Sequence, residues 1–196
     1  MSNRTSLLLD LMGTVLEDPY RPALRAATGR APEALDDERD PEAWPAFERG
    51  EIDEDEFARR FWRDERVLDL RAFHRARHAG YRFLPGMREL IDDVAGRARL
   101  HLVTNYPVWV HDVVARFDLA PCVETVWASC ELGVRKPDPA FYERVLEGLG
   151  ESPSQCLFVD DREANCAAAQ EVGIPAHHFE GAEGLRRRLV AEGLLD

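Results

Sequence analysis

Three short apolar runs constrain this chain more than any other feature, because each one ends at a polar side chain. Leu7-Leu8-Leu9 runs into Asp10, Leu102-Val103 into Thr104-Asn105, and Phe158-Val159 into Asp160-Asp161. A strand that is apolar at every residue, rather than at every second one, is covered on both faces, as in a parallel sheet. In open parallel sheets ligands bind beyond the carboxyl ends of the strands, where these hydroxyl, amide and carboxylate groups fall. A fourth segment, Lys136-Pro137-Asp138-Pro139, supplies an ammonium from a loop ahead of a helix. Lys136 is the single lysine of a chain with 24 arginines. A compact point charge with three donors has been kept at one place only. Together the four segments make a site for displacement at a charged centre, with phosphorus the natural candidate.

The rest of the chain divides in two. After Leu84-Pro85-Gly86 helices and apolar strands alternate. Strands are predicted at Leu100–Val103, Val123–Trp127, Cys156–Val159 and Ile174–Ala176, with helices at Met87–Ala95, Val108–Phe117, Pro139–Leu149, Arg162–Val172 and Gly184–Glu192. This pattern implies an α/β fold with a parallel sheet covered on both faces. Between Leu16 and Phe83 there are no strand-like runs, and helices are predicted at Pro22–Gly29, Pro41–Arg49, Asp53–Arg66 and Leu68–His78. Asp53 is placed to cap the third of these. The reading is therefore a doubly wound, Rossmann-like core over residues 1–15 and 84–196, with an all-helical cap over 16–83 inserted after the first strand.

Charge narrows the partners. Residues 33–56 carry twelve acids against Arg39 and Arg49, which is −10 of the chain's −12. This stretch reads as a solvated helical face and argues against nucleic-acid or membrane partners. No apolar run reaches the ~18 residues of a transmembrane helix, and the N-terminal Met1–Ser6 lacks the apolar region of a signal peptide. Cys122, Cys130, Cys156 and Cys166 form no CxxC pair and read as reduced, packed thiols of a cytoplasmic protein. A monomer or homodimer acting on a small molecule is expected.

With these segments in order and at these spacings, the chain resembles the haloacid dehalogenase-like superfamily of hydrolases. The resemblance covers residues 5–15 and 84–196, and is most specific at Ser129–Pro139 and Cys156–Asn165. It implies that Asp10 is the nucleophile, attacking a phosphoryl group to form an aspartyl-phosphate that water then hydrolyses. Thr104 and the amides around Asn105 would bind the transferring oxygens, and Lys136 would neutralise charge on nucleophile and phosphoryl group. Mg²⁺ is the implied cofactor, held by Asp10, the Met12 backbone carbonyl, Asp161 and Asp160, with Asp160 either a ligand or just outside. Asn165 would orient a metal-bound water or Lys136.

Met12 departs from the family pattern. The position two after the nucleophile usually holds an aspartate that protonates the leaving group, and a thioether does not. General acid–base help is worth about 10²–10⁴ in rate, so hydrolysis of alkyl phosphates should be slow unless another group supplies the proton. The first reading is a Mg²⁺-dependent phosphatase of a small phosphorylated metabolite. The alternatives are a dehalogenase-like enzyme, whose departing halide needs no proton, or a catalytically weak binding protein. A phosphonate hydrolase is set aside, because residues 16–83 contain no lysine to form an imine.

In the helical stretch, Trp44, Phe47, Phe61 and Trp62 are expected in its core, and His74 and His78 are expected packed or solvent-facing. Tyr20, Arg21 and Arg25 lie early enough to reach over Asp10, where an arginine would clamp an anionic group.

Overall fold

In the computed structural model, which describes residues 6–196, the three apolar runs are the three central strands of one sheet. The strands are β1 (Ser6–Leu9), β2 (Arg99–Thr104), β3 (Thr125–Ala128), β4 (Cys156–Asp160) and β5 (Ala176–His178), in the order β3-β2-β1-β4-β5. All neighbours are parallel, with Leu8 opposite His101 on one side and Phe158 on the other. The stretch 1–5, assigned from sequence to the core, lies outside the described residues.

Strand residues alternate between two apolar layers, which is why the runs are apolar throughout. Leu7, Leu9, Leu100, Leu102 and Val159 pack on one face, against α5 (Met87–Val94), α6 (Val110–Arg116) and α10 (Ala182–Ala191). Leu8, Val103 and Phe158 pack on the other, against α8 (Pro139–Leu149) and α9 (Glu163–Glu171). The sheet is doubly wound: the chain runs outward from β1 through β2 to β3, then returns to the far side of β1 as β4.

Between β1 and α5 lie α1 (Tyr20–Thr28), a 3₁₀ turn (Pro32–Leu35), α2 (Ala43–Glu48), α3 (Glu54–Arg60) and α4 (Leu70–Gly80). The chain enters and leaves this region side by side. Glu17 donates its N–H to the Arg82 carbonyl, and Leu84 donates to Val15. Phe47, Phe61 and Trp62 are buried as expected, together with Phe57, in a layer continuous with one face of the sheet; Trp44 packs against them but is only partly buried.

The differences from the sequence reading have local causes. Asp53 caps α3 by accepting from the Glu56 N–H at 2.7 Å, but the helix ends at Arg60 and not at Arg66. There the backbone turns away, with the Asp40 N–H donating to Phe61 and the Arg63 N–H to Glu38, and Phe61 and Trp62 turn inward. The last strand begins at Ala176 and not at Ile174, because Pro175 has no N–H to give a ladder; its carbonyl instead accepts from Phe158. The segment Ser129–Leu132, unassigned from sequence, forms a single helical turn, α7.

Candidate active site

Lys136 is the hub of the carboxyl end of the sheet. It stands in the loop between α7 and α8, and its side chain reaches beneath the strand ends, 1% exposed. The ammonium makes three hydrogen bonds, to Asp10 Oδ1 at 2.7 Å, the Val103 carbonyl at 2.7 Å and Asp160 Oδ2 at 2.6 Å. β1, β2 and β4 are thus joined by one side chain, at the point where the strand order reverses. Its three donors are all used, which explains why an arginine does not replace it: a planar fork does not fit three acceptors arranged around one atom.

Asn105 fixes the loop that carries Lys136, its Nδ2 donating to the Lys136 carbonyl and its Oδ1 accepting the Lys136 N–H. Asp160 is wholly buried. Besides Lys136 it accepts from the Arg162 N–H and from Asn165 Nδ2, each at 2.9 Å. Both its oxygens therefore have protein partners. Asn165 orients Asp160, and through it Lys136, and its own carbonyl accepts from Tyr142 Oη at 2.8 Å. Asp161, the next residue, points the other way, toward Gly13. A Cβ on Gly13, which has φ +92°, would lie 2.6 Å from Asp161 Oδ2. Thr104 is fully buried, and its hydroxyl has no hydrogen-bond partner.

Three carboxylates here share one ammonium. Burial, opposed by Lys136 and reinforced by Asp160 and Asp161, pushes Asp10 up to about 7. Burial and then Asp160 raise Asp161. Burial pulls the Lys136 ammonium down, but Asp10 and Asp160 outweigh it and hold it above its ordinary value. The cluster is short of positive charge. A divalent cation at the Asp10–Asp161 side would correct that imbalance with hard oxygen donors. Among the described residues no three His, Cys, Asp or Glu side chains form a metal cage by themselves. The residues fit Mg²⁺ on charge and donor type.

Asp10, Met12, Lys136, Asp161 and Asn165 line a cavity of about 150 Å³, together with Asn105 and Tyr106. Its opposite wall comes from the helical region: Asp18, Tyr20, Trp44 and Glu48. Arg135 and Arg162 complete it. Tyr20 thus reaches the site as expected, whereas Arg21 pairs with Glu33 and, like Arg25, is exposed and lines a separate surface pocket. His74 and His78 lie apart from the cavity, flanking buried Arg77 at 3.0 and 3.2 Å. Glu48 corrects the reading of residues 33–56 as a solvated face. It is 5% exposed, turned inward, with Arg135 Nη2 2.7 Å from its Oε2. Arg135 and Arg162 were within reach of the sequence, since each adjoins a motif residue. Glu48 carried no such signal among eleven other acids.

Comparison with known proteins settles the family. Residues 6–173 match the model for haloacid dehalogenase-like hydrolases. The chain belongs to that family. It is 37% identical over 189 residues to a chloroplast flavin mononucleotide hydrolase of Arabidopsis thaliana, covering 96% of this chain and 77% of the relative. It is 30% identical to a sesquiterpene phosphatase of Aspergillus oryzae, over 70% of this chain and 72% of that one. A haloacid dehalogenase family enzyme from Bacteroides thetaiotaomicron has the same fold, with a TM-score of 0.77 at 19% identity, covering 95% of this chain and 98% of that one. That enzyme has also been solved with magnesium and inorganic phosphate. As a haloacid dehalogenase-like hydrolase, the protein is an enzyme with the expected α/β core. Its four cysteines are free thiols, and no helix among the described residues is long and apolar enough to cross a membrane.

Proposed function

We propose that this hydrolase is a Mg²⁺-dependent phosphatase of a small phosphorylated metabolite, working through an aspartyl-phosphate at Asp10. One observation carries the reading: the Lys136 ammonium lies between Asp10 and Asp160, with Asp161 beside them and insufficient positive charge to balance all three. A dehalogenase working on carbon without metal would leave that excess negative charge in place, which is costly when buried. Met12 alone favours the dehalogenase; the carboxylate cluster outweighs it.

In this reading Asp10 Oδ2 attacks phosphorus while Lys136 holds Oδ1, which aims the nucleophile and opposes the push of burial toward its protonated form. Thr104 gives its unpartnered hydroxyl to a phosphoryl oxygen, and the backbone around Asn105 supplies further donors. Asp10, Asp161 and the Met12 carbonyl would hold Mg²⁺, which when bound would draw charge from the phosphoryl oxygens. Asp160 stays outside the metal's ligands as the anchor of Lys136. Residues 16–83 act as a cap whose inner wall meets the substrate. There Tyr20 and Trp44 pack with ring centroids 4.3 Å apart and their planes tilted by 40°, offering an aromatic surface to the body of the substrate. The flavin relative is in keeping with such a wall.

The test is a panel of phosphate esters, with flavin mononucleotide, sugar phosphates and aryl phosphates included, beside 2-haloacids. Turnover of phosphate esters that needs Mg²⁺ and disappears in Asp10→Asn is expected. Haloacid turnover in EDTA would overturn the reading.

A further inference from the structure

The phosphatase reading leaves the Met12 thioether facing a leaving group that needs a proton. On the far wall of the same cavity, at the end of α2, stands a carboxyl group with no assigned task. Glu48 is buried, and its Oε2 accepts no hydrogen bond, since Arg135 Nη2 at 2.7 Å lies off the line of one. Its position is firmly held: the Glu48 carbonyl accepts from Ser129 Oγ, which also accepts the Tyr106 N–H. Resting on that phosphatase reading, we propose that Glu48 is the proton donor to the leaving oxygen, reaching across from the helical region to do what residue 12 does not.

The other polar groups on that wall suit the task less well. Asp18 is raised by burial as well, but its Oδ1 is already committed to accepting the Tyr20 N–H. The Tyr20 hydroxyl is buried without a partner, but burial raises it far above the range in which it gives up a proton readily. Glu48 is pushed up to about 7, chiefly by burial, with Arg135, Trp44 and Arg162 opposing and Asp18 reinforcing. An acid is most effective when it is protonated at the working pH and yet parts with its proton easily. Arg135 then has a second part in the cycle, stabilising the carboxylate that forms.

The proton balance closes over two steps. As Asp10 bonds to phosphorus and the ester P–O bond breaks, the Glu48 O–H passes its proton to the departing oxygen, releasing an alcohol. As water attacks phosphorus and the Asp10–phosphorus linkage breaks, the Glu48 carboxylate takes a proton from that water. Phosphate leaves, and Glu48 is an acid again.

The wild-type enzyme should therefore hydrolyse alkyl phosphates well despite Met12. Glu48→Gln should lower kcat/KM, which reports the steps up to release of the alcohol, by about 10²-fold or more on an alkyl phosphate. On para-nitrophenyl phosphate, whose leaving group departs without a proton, the fall should be at least about tenfold smaller. The change in the kcat–pH profile assigned to the acid should vanish in the variant. Met12→Asp in the Glu48→Gln background should restore most of the alkyl activity. If Glu48→Gln is poorly folded, Glu48→Gln with Arg135→Gln removes both charges together and is compared on the same two substrates. Equal losses of kcat/KM on both esters, an unchanged pH profile, or no rescue by Met12→Asp would overturn the proposal while leaving an Asp10-dependent phosphatase intact. An enzyme inert toward every phosphate ester in Mg²⁺ would overturn the phosphatase reading, and this proposal with it.

Discussion

Asn105 and Lys136 hold each other by two hydrogen bonds, Nδ2 to carbonyl and N–H to Oδ1, each 2.8 Å long. The side chain at the end of β2 thereby sets the backbone from which the ammonium starts, and so where it arrives between Asp10 and Asp160. Asn105→Leu keeps the volume and removes both bonds. It should cost about 1–3 kcal/mol of stability and lower kcat by roughly 10–100-fold through a displaced Lys136, since small misplacements near the chemistry are costly. Urea unfolding and steady-state kinetics on one phosphate ester check both. Wild-type kcat in a destabilised Asn105→Leu protein would show that Lys136 is positioned without the clamp.

Asp160 and Asp161 should separate cleanly by mutation. Asp160→Asn weakens a buried ion pair with Lys136, and should destabilise the fold by on the order of 3 kcal/mol. Asp161→Asn removes a like charge from beside Asp10 and should leave the metal-free fold as stable as wild type, or slightly more so. It should also abolish most of the thermal shift that millimolar Mg²⁺ gives the wild-type protein, because a hard cation loses an anionic ligand. An Asp161→Asn protein that keeps the full shift would remove Asp161 from the metal site.

The family resemblance favoured Asp161 as the ligand, but the sequence left open whether Asp160 joins it or sits just outside, for a plain geometric reason. Successive residues leaving a strand point to opposite sides, so Asp160 turns in to Lys136 and Asp161 turns out, and which is which depends on register with β1. The strands themselves were legible because β1, β2 and β4 are covered on both faces and leave no polar break until they reach the site. Lys136 was legible from its type, since no other residue in the chain offers an ammonium. Glu48 and its pairing with Arg135 were not. They depend on how α2 seats against the loop before α8, a contact between residues 87 positions apart that no local pattern encodes. The end of α3 was missed for the same kind of reason, its last expected turn being drawn off by residues 38–40.

Gly13 offers a test of the close packing around Asp161. Its φ of +92° disfavours any side chain, and a Cβ would meet Asp161 Oδ2 at 2.6 Å. Gly13→Ala should cost about 1–3 kcal/mol from the backbone alone. It should also weaken Mg²⁺ binding, because the clash is relieved by moving the Asp161 carboxylate. Calorimetric titration checks the second effect independently of activity. A Gly13→Ala protein with wild-type Mg²⁺ affinity would mean that the backbone, not Asp161, had yielded.

Asp10 and Glu48 should contribute stability that is lost as pH rises across the slightly acid range. Burial raises Asp10 from 3.8 and Glu48 from 4.5, each to about 7. Between those ordinary and folded values the native protein holds protons that the unfolded chain has released. The slope of stability against pH follows protons bound by the unfolded state minus those bound by the native state, so here it is negative. The favourable contribution is complete below about 4 and is lost as pH climbs toward about 7. Surface carboxylates held low by arginines, such as Glu38, Glu51 and Asp64, have the opposite sign but act below their ordinary values and so below this window. His78, His101 and His177, pushed down chiefly by burial, have the opposite sign inside it, so the contribution of Glu48 is read as the difference between wild type and variant. In the metal-free protein, Glu48→Gln should make the decline shallower by up to about 1.4 kcal/mol per pH unit, the share of one proton. Mg²⁺ should flatten the remainder by favouring ionised Asp10. Urea midpoints at half-unit steps of pH, with and without Mg²⁺, measure all three curves. A Glu48→Gln protein whose curve runs parallel to wild type throughout the window would show that Glu48 is ionised in the fold at every pH tested, contrary to its burial against Trp44 and Arg135.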